Sequence, residues 1–238
     1  MGFARSEVLR MPLAVALLSG GLDSTVTMAY ALSKGYEVVP LSFHYGQRHS
    51  KELEAAKAVV AFYGTKRHVI VDLDLSSFEA SALTSTKVDV PQGRTMEQMG
   101  ADIPVTYVPS RNIIFLSVAA GLCETVGAST IFIGANAIDY SGYPDCRPEF
   151  FMAFEKVLQV GTKAGVEGRP IRIEAPILRM SKAEIVKLGK TLKAPLHLTW
   201  SCYQGKEKAC GRCDSCLLRL KGFKEAGHQD EIPYEVLQ

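Results

Sequence analysis

Residues 13–25 read LAVALLSGGLDST, an apolar run that leads directly into a turn rich in glycine and serine. The apolar run is typical of a strand buried on both faces, because it shows no polar alternation. Helix-compatible spacing follows from Leu22 to Ser33, and Glu37 to Phe43 again has strand character. A strand, a helix and a second strand in this order predict a βαβ unit.

The same alternation continues along the chain. Further strands are predicted at 68–73, 130–134 and 171–175, and further helices at 50–63, 112–126, 148–164 and 181–188, the last opened by a capping box of Ser181 and Glu184. Five strands alternating with helices predict an α/β fold with an open, mainly parallel, doubly wound sheet, whose ligands gather beyond the carboxyl ends of its strands. We interpret the long irregular stretch Ser76 to Pro109 as a cover over that site.

Composition limits the possible functions. The 238 residues are enough for one sizeable core, and we divide them into a main domain at 11–195 and a metal-binding C-terminal region at 196–238 packed on it. Basic and acidic residues nearly balance, 27 against 25, which gives no electrostatic signature of nucleic acid binding. No uncharged apolar run approaches the roughly 20 residues needed to span a membrane. The chain also lacks secretory features, so we expect a cytoplasmic protein.

The turn Ser19-Gly20-Gly21 has the context of a phosphate-binding loop, because it follows a strand and opens a helix. Glycines let the backbone approach an anion closely, and the amino terminus of the helix offers unpaired N–H groups and a positive dipole end. Ser24 and Thr25 add hydroxyl donors. Asp23 would repel phosphate if it pointed inward, so we expect it to bind magnesium or to cap backbone amides.

Four of the six cysteines lie close together near the C-terminus, as Cys202, Cys210, Cys213 and Cys216. Gly211 gives this segment the turn freedom that a tight thiolate knuckle needs. Four thiolates suit tetrahedral Zn²⁺ and leave no open position, so we expect a structural metal. An iron–sulfur cluster is the main alternative, because four cysteines serve it too.

The heptapeptide SGGLDST at 19–25 resembles the PP-loop of the N-type ATP pyrophosphatases, enzymes that release pyrophosphate and adenylate an oxygen atom. The resemblance implies an adenine nucleotide alpha hydrolase-like fold and makes 11–195 a PP-loop ATP pyrophosphatase domain. It also implies that the loop cradles the departing pyrophosphate. The implied ATP site comprises Leu18, Ser19, Gly20, Gly21, Leu22, Asp23, Ser24, Thr25, Val26, Thr27 and Met28.

Four further stretches narrow the resemblance to one family. They read YGQRH at 45–49, YVPSRN at 107–112, SGYPDCR at 141–147 and SCY at 201–203. Together with the loop and the cysteines, they resemble the 7-cyano-7-deazaguanine synthases, the QueC family, from about Leu13 to Phe223. The family's usual glycine before Arg111 is Ser110 in this chain.

This resemblance implies a ligase that forms C–N bonds. Such an enzyme converts 7-carboxy-7-deazaguanine, ammonia and ATP into 7-cyano-7-deazaguanine, the nitrile precursor of queuosine-type nucleosides, through an adenylated acid and then an adenylated amide. Adenylation is needed because a carboxylate oxygen is a poor leaving group. The implied partners are small molecules, without nucleic acid or membrane, and a second copy of the chain in a homodimer. The implied cofactors are ATP, Mg²⁺ and a structural Zn²⁺.

Motif position and chemistry together predict roles for five side chains. We expect Lys182 and Arg111 to neutralise charge developing at the α-phosphate; the alternative for each is an ordinary surface cation. We expect Tyr143 to stack on the bicyclic base, Asp145 to accept its guanine-like N–H edge and Arg147 to pair with the acid group. The alternative for these three is a cap and turn before the next helix.

Two other functions fit part of the sequence. A tRNA-thiolating PP-loop enzyme would need reactive thiols and a basic surface, whereas these cysteines are predicted to hold metal and the charge is balanced. A zinc-ribbon binding module without enzymatic activity would not need an intact nucleotide loop. Pyrophosphate release in the absence of tRNA separates both from the synthase.

Overall fold

A computed structural model of the chain describes residues 11–85, 87–95, 98–99, 103–138 and 143–236. Its centre is a sheet of five strands: β1 (Leu13–Leu17), β2 (Glu37–His44), β3 (Val69–Asp72), β4 (Thr130–Phe132) and β5 (Arg172–Glu174). Their order across the sheet is β3-β2-β1-β4-β5, and every pairing is parallel. The predicted α/β fold with an open parallel sheet is therefore confirmed.

Seven α-helices whose bounds lie within the described residues follow or connect the strands: α1 (Leu22–Ser33), α2 (Lys51–Tyr63), α3 (Arg111–Val126), α4 (Pro148–Gly161), α5 (Lys163–Val166), α6 (Lys182–Thr191) and α7 (Asp214–Ala226). The predicted helix at 148–164 is divided at Thr162, whose backbone is extended and whose hydroxyl accepts the amide of Gly165 to start α5. The capping box that starts α6, formed by Ser181 and Glu184, is present as predicted.

Alternate residues of β1 face two different hydrophobic clusters, as the twofold period of a strand requires. Ala14 and Ala16 pack with residues of α1 and α2, such as Met28 and Val59. Val15 and Leu17 pack on the opposite face with residues of α3 and α4, including Leu116 and Phe154. Helices therefore cover both faces of the sheet, which accounts for the continuous apolar character of its central strand.

The C-terminal region packs directly on the main domain. Leu196 and Phe223 share one hydrophobic cluster with Leu22 and Val26 of α1 and with Ile185 of α6. The helix α7 approaches α6 so closely that a Cβ at Gly222 would lie 2.4 Å from Cγ of Lys182. Side chains from both sides of position 195 thus form one continuous core.

The order in which the chain adds strands to the sheet reverses between β1 and β4, although all the strands are parallel. From β1 the chain passes to β2 and β3 on one side, and it later returns to β4 and β5 on the other. Such a switch leaves a crevice at the carboxyl ends of the two central strands, and ligands of open α/β sheets bind there. The loop at 19–21 and residues 133–136 both lie at this crevice.

The backbone immediately before α3 is in the left-handed region. Ser110 has φ 57° and ψ 17°, the conformation in which a non-glycine residue crowds its own Cβ against the following carbonyl. Its side chain makes no capping hydrogen bond to α3. The conformation explains why the resembling family has glycine at this position.

We predict that Ser110→Gly raises the free energy of unfolding by up to about 1 kcal/mol. Relief of the left-handed strain, about 1–2 kcal/mol, exceeds the added backbone entropy of glycine, about 0.5–1 kcal/mol. Urea denaturation measures the change. Ser181→Gly is the matched control, because Ser181 has φ −65° and its hydroxyl caps α6; this variant should lose a few tenths of a kcal/mol. A clear loss of stability in Ser110→Gly would contradict the strain argument.

Candidate active site

The predicted phosphate loop lies between the end of β1 and the start of α1. Gly20 has φ +86°, and a Cβ there would lie 2.1 Å from the carbonyl oxygen of Glu52 and 2.5 Å from the amide nitrogen of Ala56. Only glycine therefore lets the loop pack against the first turns of α2. Gly21 is the N-cap residue of α1 and has no side chain to occupy the first amides of the helix. The hydroxyls of Ser19 and Ser24 lie 3.0 Å apart at the mouth of the loop.

The predicted ATP stretch divides into a part at the cavity and a part in the core. Its cavity-lining members are Leu18, Ser19, Gly21, Leu22, Asp23 and Ser24. Val26 and Met28 lie instead in hydrophobic clusters, because only the first turn of α1 faces the crevice. Thr25 and Thr27 are fully buried, and among the described residues their hydroxyls have no hydrogen-bond partner. The ATP assignment of the whole stretch stays a prediction.

Lys182 and Asp23 form an ion pair beside the loop. The ammonium group of Lys182 donates to both carboxylate oxygens of Asp23, at 2.9 and 2.8 Å. The side chains are 14% and 26% exposed, so both charges stand at the edge of the cavity rather than in open solvent. Both carboxylate oxygens of Asp23 thus accept from Lys182, a residue far away in sequence, and the N-cap of α1 makes no side-chain hydrogen bond. Lys182 is the first residue of α6, and Gly222 of α7 packs against its aliphatic stem.

A cavity of about 300 Å³ opens at the crevice. One part of its wall is aromatic: the rings of Phe43 and Phe115 stack with centroids 3.9 Å apart and planes inclined by 4°. Tyr45 meets Phe115 edge to face at 5.5 Å. The phosphate loop and Lys182 form another part of the same wall. The cavity therefore places a flat apolar surface and a phosphate-binding loop around one space.

Arg111, the first residue of α3, brings a second positive charge to the cavity. Its guanidinium carbon lies 5.9 Å from the ring centroid of Tyr45. Burial, opposed by the charge of Arg111, raises the pKa of Tyr45 to about 12, which keeps the phenol neutral near pH 7. Burial likewise raises the pKa of Glu52, on the cavity wall, to about 7, although Arg111 favours its ionised form.

The three predicted substrate residues occupy different positions. Tyr143 lines the cavity, and its hydroxyl lies 2.9 Å from Oγ1 of Thr106. Asp145 is buried, and its carboxylate accepts the amide of Asn112 in the first turn of α3 at 3.1 Å. This acceptor suits the positive end of the helix dipole. Arg147 is exposed and directly precedes α4.

Among the residues that line the described cavity, neither Asp145 nor Arg147 is present. Ser141 and Gly142, which belong to the same motif, lie outside the described residues. The substrate roles of Tyr143, Asp145 and Arg147 stay predictions.

Sequence reasoning missed several residues of the cavity wall. Glu52 and Gln47 reach it from the segment after β2, Asn136 from the segment after β4, and Ser201 and Tyr203 from the C-terminal region. A partial signal was available, because the stretch at 45–49 stood out as a motif. Glu52 lies in the first turn of α2, and only the contact of this turn with Gly20 reveals that it faces the site.

The described parts of the predicted cover reach both the cavity and the cysteine cluster. Leu83 lines the cavity. Arg48 holds the cover through hydrogen bonds to the carbonyl oxygens of Ser85, at 3.1 and 2.5 Å, and of Val88. Gln92 forms an antiparallel bridge with Cys213. These contacts agree with the interpretation of the stretch as a cover.

The four clustered cysteines form a compact buried set. The sulfurs of Cys202, Cys210, Cys213 and Cys216 all lie within 4.8 Å of one another. Cys210 and Cys216 are 3.9 Å apart, close to the roughly 3.8 Å edge of a tetrahedron with metal–sulfur bonds of 2.3 Å. Backbone amides of Cys210 and Gln204 point at the sulfur of Cys202 from 3.2 and 3.4 Å.

This geometry fits a single tetrahedral ion with a structural role. The amides of Cys210 and Gln204 that point at the sulfur of Cys202 stabilise its thiolate, which is the form that binds a metal. An iron–sulfur cluster fits less well, because its inorganic core holds the cysteine sulfurs farther apart. All four thiols are buried, which leaves no open position for a reacting molecule.

The last described residues close over the cysteine cluster. The amide of Ala209 donates to the carbonyl of Pro233 at 2.9 Å, and the amide of Glu235 donates back to Ala209 at 2.8 Å. A Cβ at Gly211 would lie 2.0 Å from the carbonyl oxygen of Val236. Gly211, with φ +70°, therefore provides both the turn and the room for this segment.

A buried arginine links the cysteine cluster to the phosphate loop. Arg219 of α7 pairs with Asp230 at 2.6 and 3.0 Å and donates to Oγ1 of Thr199 at 2.7 Å. The next residue, Trp200, donates its amide to the carbonyl of Gly20 at 2.9 Å. The cluster, α7 and the segment 199–201 thus support the loop from the C-terminal side.

We predict that Cys216→Ser abolishes metal binding and lowers the melting temperature by about 10 °C, because loss of a structural metal removes several kcal/mol of folding energy. Elemental analysis and thermal denaturation measure the two effects. Cys123→Ala is the matched control: Cys123 is a buried thiol of α3 outside the cluster, so this variant should keep the metal. A Cys216→Ser protein with full metal content and an unchanged melting temperature would contradict a four-cysteine site.

Two solved structures are similar in overall shape. A 4-thiouridine synthetase in complex with RNA and bound ATP has a TM-score of 0.48 and 17% identity, covering 94% of this chain and 47% of that chain. An NMN synthetase from Francisella tularensis has a TM-score of 0.47 and 14% identity, covering 93% and 79%. Similarity at this level does not bear on function.

Sequence comparison is decisive. The family model described as "Queuosine biosynthesis protein QueC" matches residues 13–227. The chain is 59% identical over 221 residues to the 7-cyano-7-deazaguanine synthase of Acetivibrio thermocellus, covering 93% of this chain and 97% of the relative. It is 58% identical over 225 residues to that of Picrophilus torridus, covering 94% and 92%. The chain therefore belongs to the QueC family of queuosine biosynthesis proteins.

Proposed function

We propose that the chain is a 7-cyano-7-deazaguanine synthase, a ligase that forms C–N bonds. Its substrates are 7-carboxy-7-deazaguanine, ammonia and ATP, and its products are the nitrile, AMP and pyrophosphate. The 59% identity to a synthase of the same name over nearly the whole of both chains carries the proposal. The cavity supports it, because the phosphate loop and a stacked aromatic pair face one space.

The reaction proceeds through two adenylations at one site. The substrate carboxylate attacks the α-phosphorus of ATP, pyrophosphate leaves, and the acyl-adenylate forms. Ammonia then attacks the carbonyl carbon, the bond to AMP breaks, and the amide forms with release of a proton. The amide oxygen attacks a second ATP in the same way. Loss of AMP and of both nitrogen-bound protons from the adenylated amide gives the nitrile.

The phosphate loop binds the departing pyrophosphate in both steps. The first amides of α1 point from the helix terminus toward the loop, and the hydroxyls of Ser19 and Ser24 stand beside it. Asp23 and the phosphate oxygens would hold Mg²⁺, since oxygen ligands suit this ion, and bound Mg²⁺ neutralises phosphate charge. Negative charge that develops during pyrophosphate release is thus met by groups already in place.

Lys182 and Arg111 neutralise the remaining charge. The ammonium of Lys182 stands 2.8 Å from Asp23 at the edge of the loop and on the wall of the cavity, which supports a role beside the phosphates. Arg111 lies across the cavity beside Tyr45, a position suited to the substrate carboxylate or the α-phosphate. Tyr143 offers a stacking surface on the cavity wall. Asp145 and Arg147 have less support, because their described contacts are with helix termini.

The remaining parts of the proposal concern the metal, the domains and the assembly. We take the four-cysteine ion to be structural zinc, held by Cys202, Cys210, Cys213 and Cys216. The boundary between 11–195 and 196–238 follows the start of the segment that carries these ligands. None of the six cysteines forms a disulfide bond, which suits the reducing cytoplasm. Exposed apolar side chains on α4 and α5, namely Met152, Val157, Val160 and Val166, support a homodimer.

No helix in the described part of the chain combines the length and apolar character needed to cross a bilayer. Balanced charge also gives no reason to invoke a nucleic acid partner.

The first test is a direct assay with Mg-ATP, ammonium and 7-carboxy-7-deazaguanine. We expect the nitrile to form together with about two AMP and two pyrophosphate per product, because each oxygen must be activated once. Chromatography coupled to mass spectrometry follows all species. ATP and acid that both stay intact would overturn the proposed substrate, and pyrophosphate release that requires tRNA would favour the thiolating alternative.

Lys182→Met tests the catalytic role of the lysine. We expect kcat for pyrophosphate release to fall by about 10²–10³-fold, the usual cost of losing one charge-stabilising group. Folding should persist, because methionine keeps an apolar stem of similar length against Gly222 at the first residue of α6.

Lys190→Met is the matched control for this variant. Lys190 lies on the same helix, and its pair with Glu231 is exposed, with side chains 33% and 53% accessible. Its kcat should stay within about twofold of the parent, since exposed ion pairs contribute little. A kcat of Lys182→Met that stays within about twofold of the parent, as expected for Lys190→Met, would show that Lys182 has no catalytic role.

A further inference from the structure

One edge of the proposed substrate's base needs a negatively charged hydrogen-bond acceptor in the protein. This inference rests on the proposed function. A 7-deazaguanine ring presents the N1–H and the exocyclic 2-amino group side by side, two donors pointing in one direction. A carboxylate is the side chain that accepts both, since it has two acceptor oxygens and no proton of its own. The cavity should therefore contain an ionisable carboxyl that no strong partner occupies.

Two carboxyl side chains line the described part of the cavity, those of Asp23 and Glu52. Both oxygens of Asp23 are engaged by Lys182 at the phosphate loop. The carboxyl that the sequence suggested, Asp145, accepts an amide of α3 and does not line the cavity. Glu52 is left as the carboxyl available to a bound base.

The position of Glu52 is set by the backbone rather than by a flexible loop. It lies in the first turn of α2, and its carbonyl oxygen is the atom against which Gly20 packs. Its side chain shares the cavity with the stacked pair Phe43 and Phe115, which offers a flat surface to a bicyclic ring. An aromatic wall and a carboxylate around one space are the two features that hold a planar base with a donor edge.

We propose that Glu52 accepts hydrogen bonds from the N1–H and 2-amino group of the 7-deazaguanine substrate and thereby determines specificity for the guanine-type base. The charge of Arg111 favours the ionised form of Glu52, and a negative charge on Cys202 disfavours it. Glu52 in turn contributes to the raised pKa of Tyr45. Burial disfavours the carboxylate of Glu52, and two N–H donors from the substrate restore the stabilisation that water provides outside.

The test combines a variant with a substrate analogue that lacks the 2-amino group. Wild-type enzyme should prefer the natural acid over the analogue by about 10–100-fold in kcat/KM, the worth of one hydrogen bond to a charged acceptor. In Glu52→Gln the preference should shrink to about 1–3-fold, because the neutral amide accepts at one atom and opposes the 2-amino group with its own N–H. The KM for ammonium should not change.

Glu54→Gln is the matched control. Glu54 lies in the same first turn of α2, is exposed, and accepts from Ser50 at 2.9 Å, so this variant should keep the wild-type preference. Thermal denaturation checks that each variant is folded. Glu52→Asp is the second variant. Its carboxylate keeps the charge but lies farther from the base because the side chain is shorter. It should therefore weaken binding of the acid while preserving much of the preference for the acid over the analogue.

The outcomes separate this inference from the proposed function. Turnover of the acid by the wild type, with an unchanged preference in Glu52→Gln, would overturn the role of Glu52 alone. A raised KM for ammonium with the preference intact would mean that Glu52 binds ammonium instead. No turnover of the acid by the wild-type enzyme would overturn the proposed function, and this inference with it.

Discussion

The close approach of three backbone segments around Gly20 is the constraint on which the active site depends. The carbonyl of Glu52 lies where a side chain at Gly20 would be, and Trp200 donates its amide to the carbonyl of Gly20 at 2.9 Å. On the other side of α1, a Cβ at Gly134 would lie 2.8 Å from the amide nitrogen of Ser24. The predicted phosphate loop is therefore held by the packing of α2, of the segment after β4 and of the C-terminal region.

Charged side chains of both signs line the cavity. Lys182 stands against Asp23 at the phosphate loop, and Arg111 favours ionisation of Glu52 across the cavity. In the proposed reaction, a triphosphate and a substrate carboxylate bring several negative charges into the same space, where these cations can pair with them. Because Lys182 pairs with Asp23, its charge is partly compensated although its side chain is only 14% exposed.

The sheet, the phosphate loop and the cysteine cluster were predictable from the sequence because each depends on local pattern. Short segments are enough to predict these features: the apolar run of β1, the glycines that follow it and the spacing of the cysteines. The division of the helix at Thr162 was missed, since one hydroxyl cap outweighed a continuous helical pattern. The position of Glu52 on the cavity wall was also missed. The direction of a carboxyl depends on which backbone its helix meets, and no periodicity encodes that contact.

The support of the phosphate loop by Trp200 and Arg219 has a consequence for synthesis on the ribosome. The loop at 19–21 emerges early, whereas the segments that hold it through Gly134, Trp200 and the pair of Arg219 with Asp230 are translated much later. During that interval the nascent chain has a nucleotide-loop sequence without the packing that shapes it. A chain that ends before the cysteine-bearing segment would therefore carry the loop sequence without the C-terminal contacts that hold the backbone of the loop.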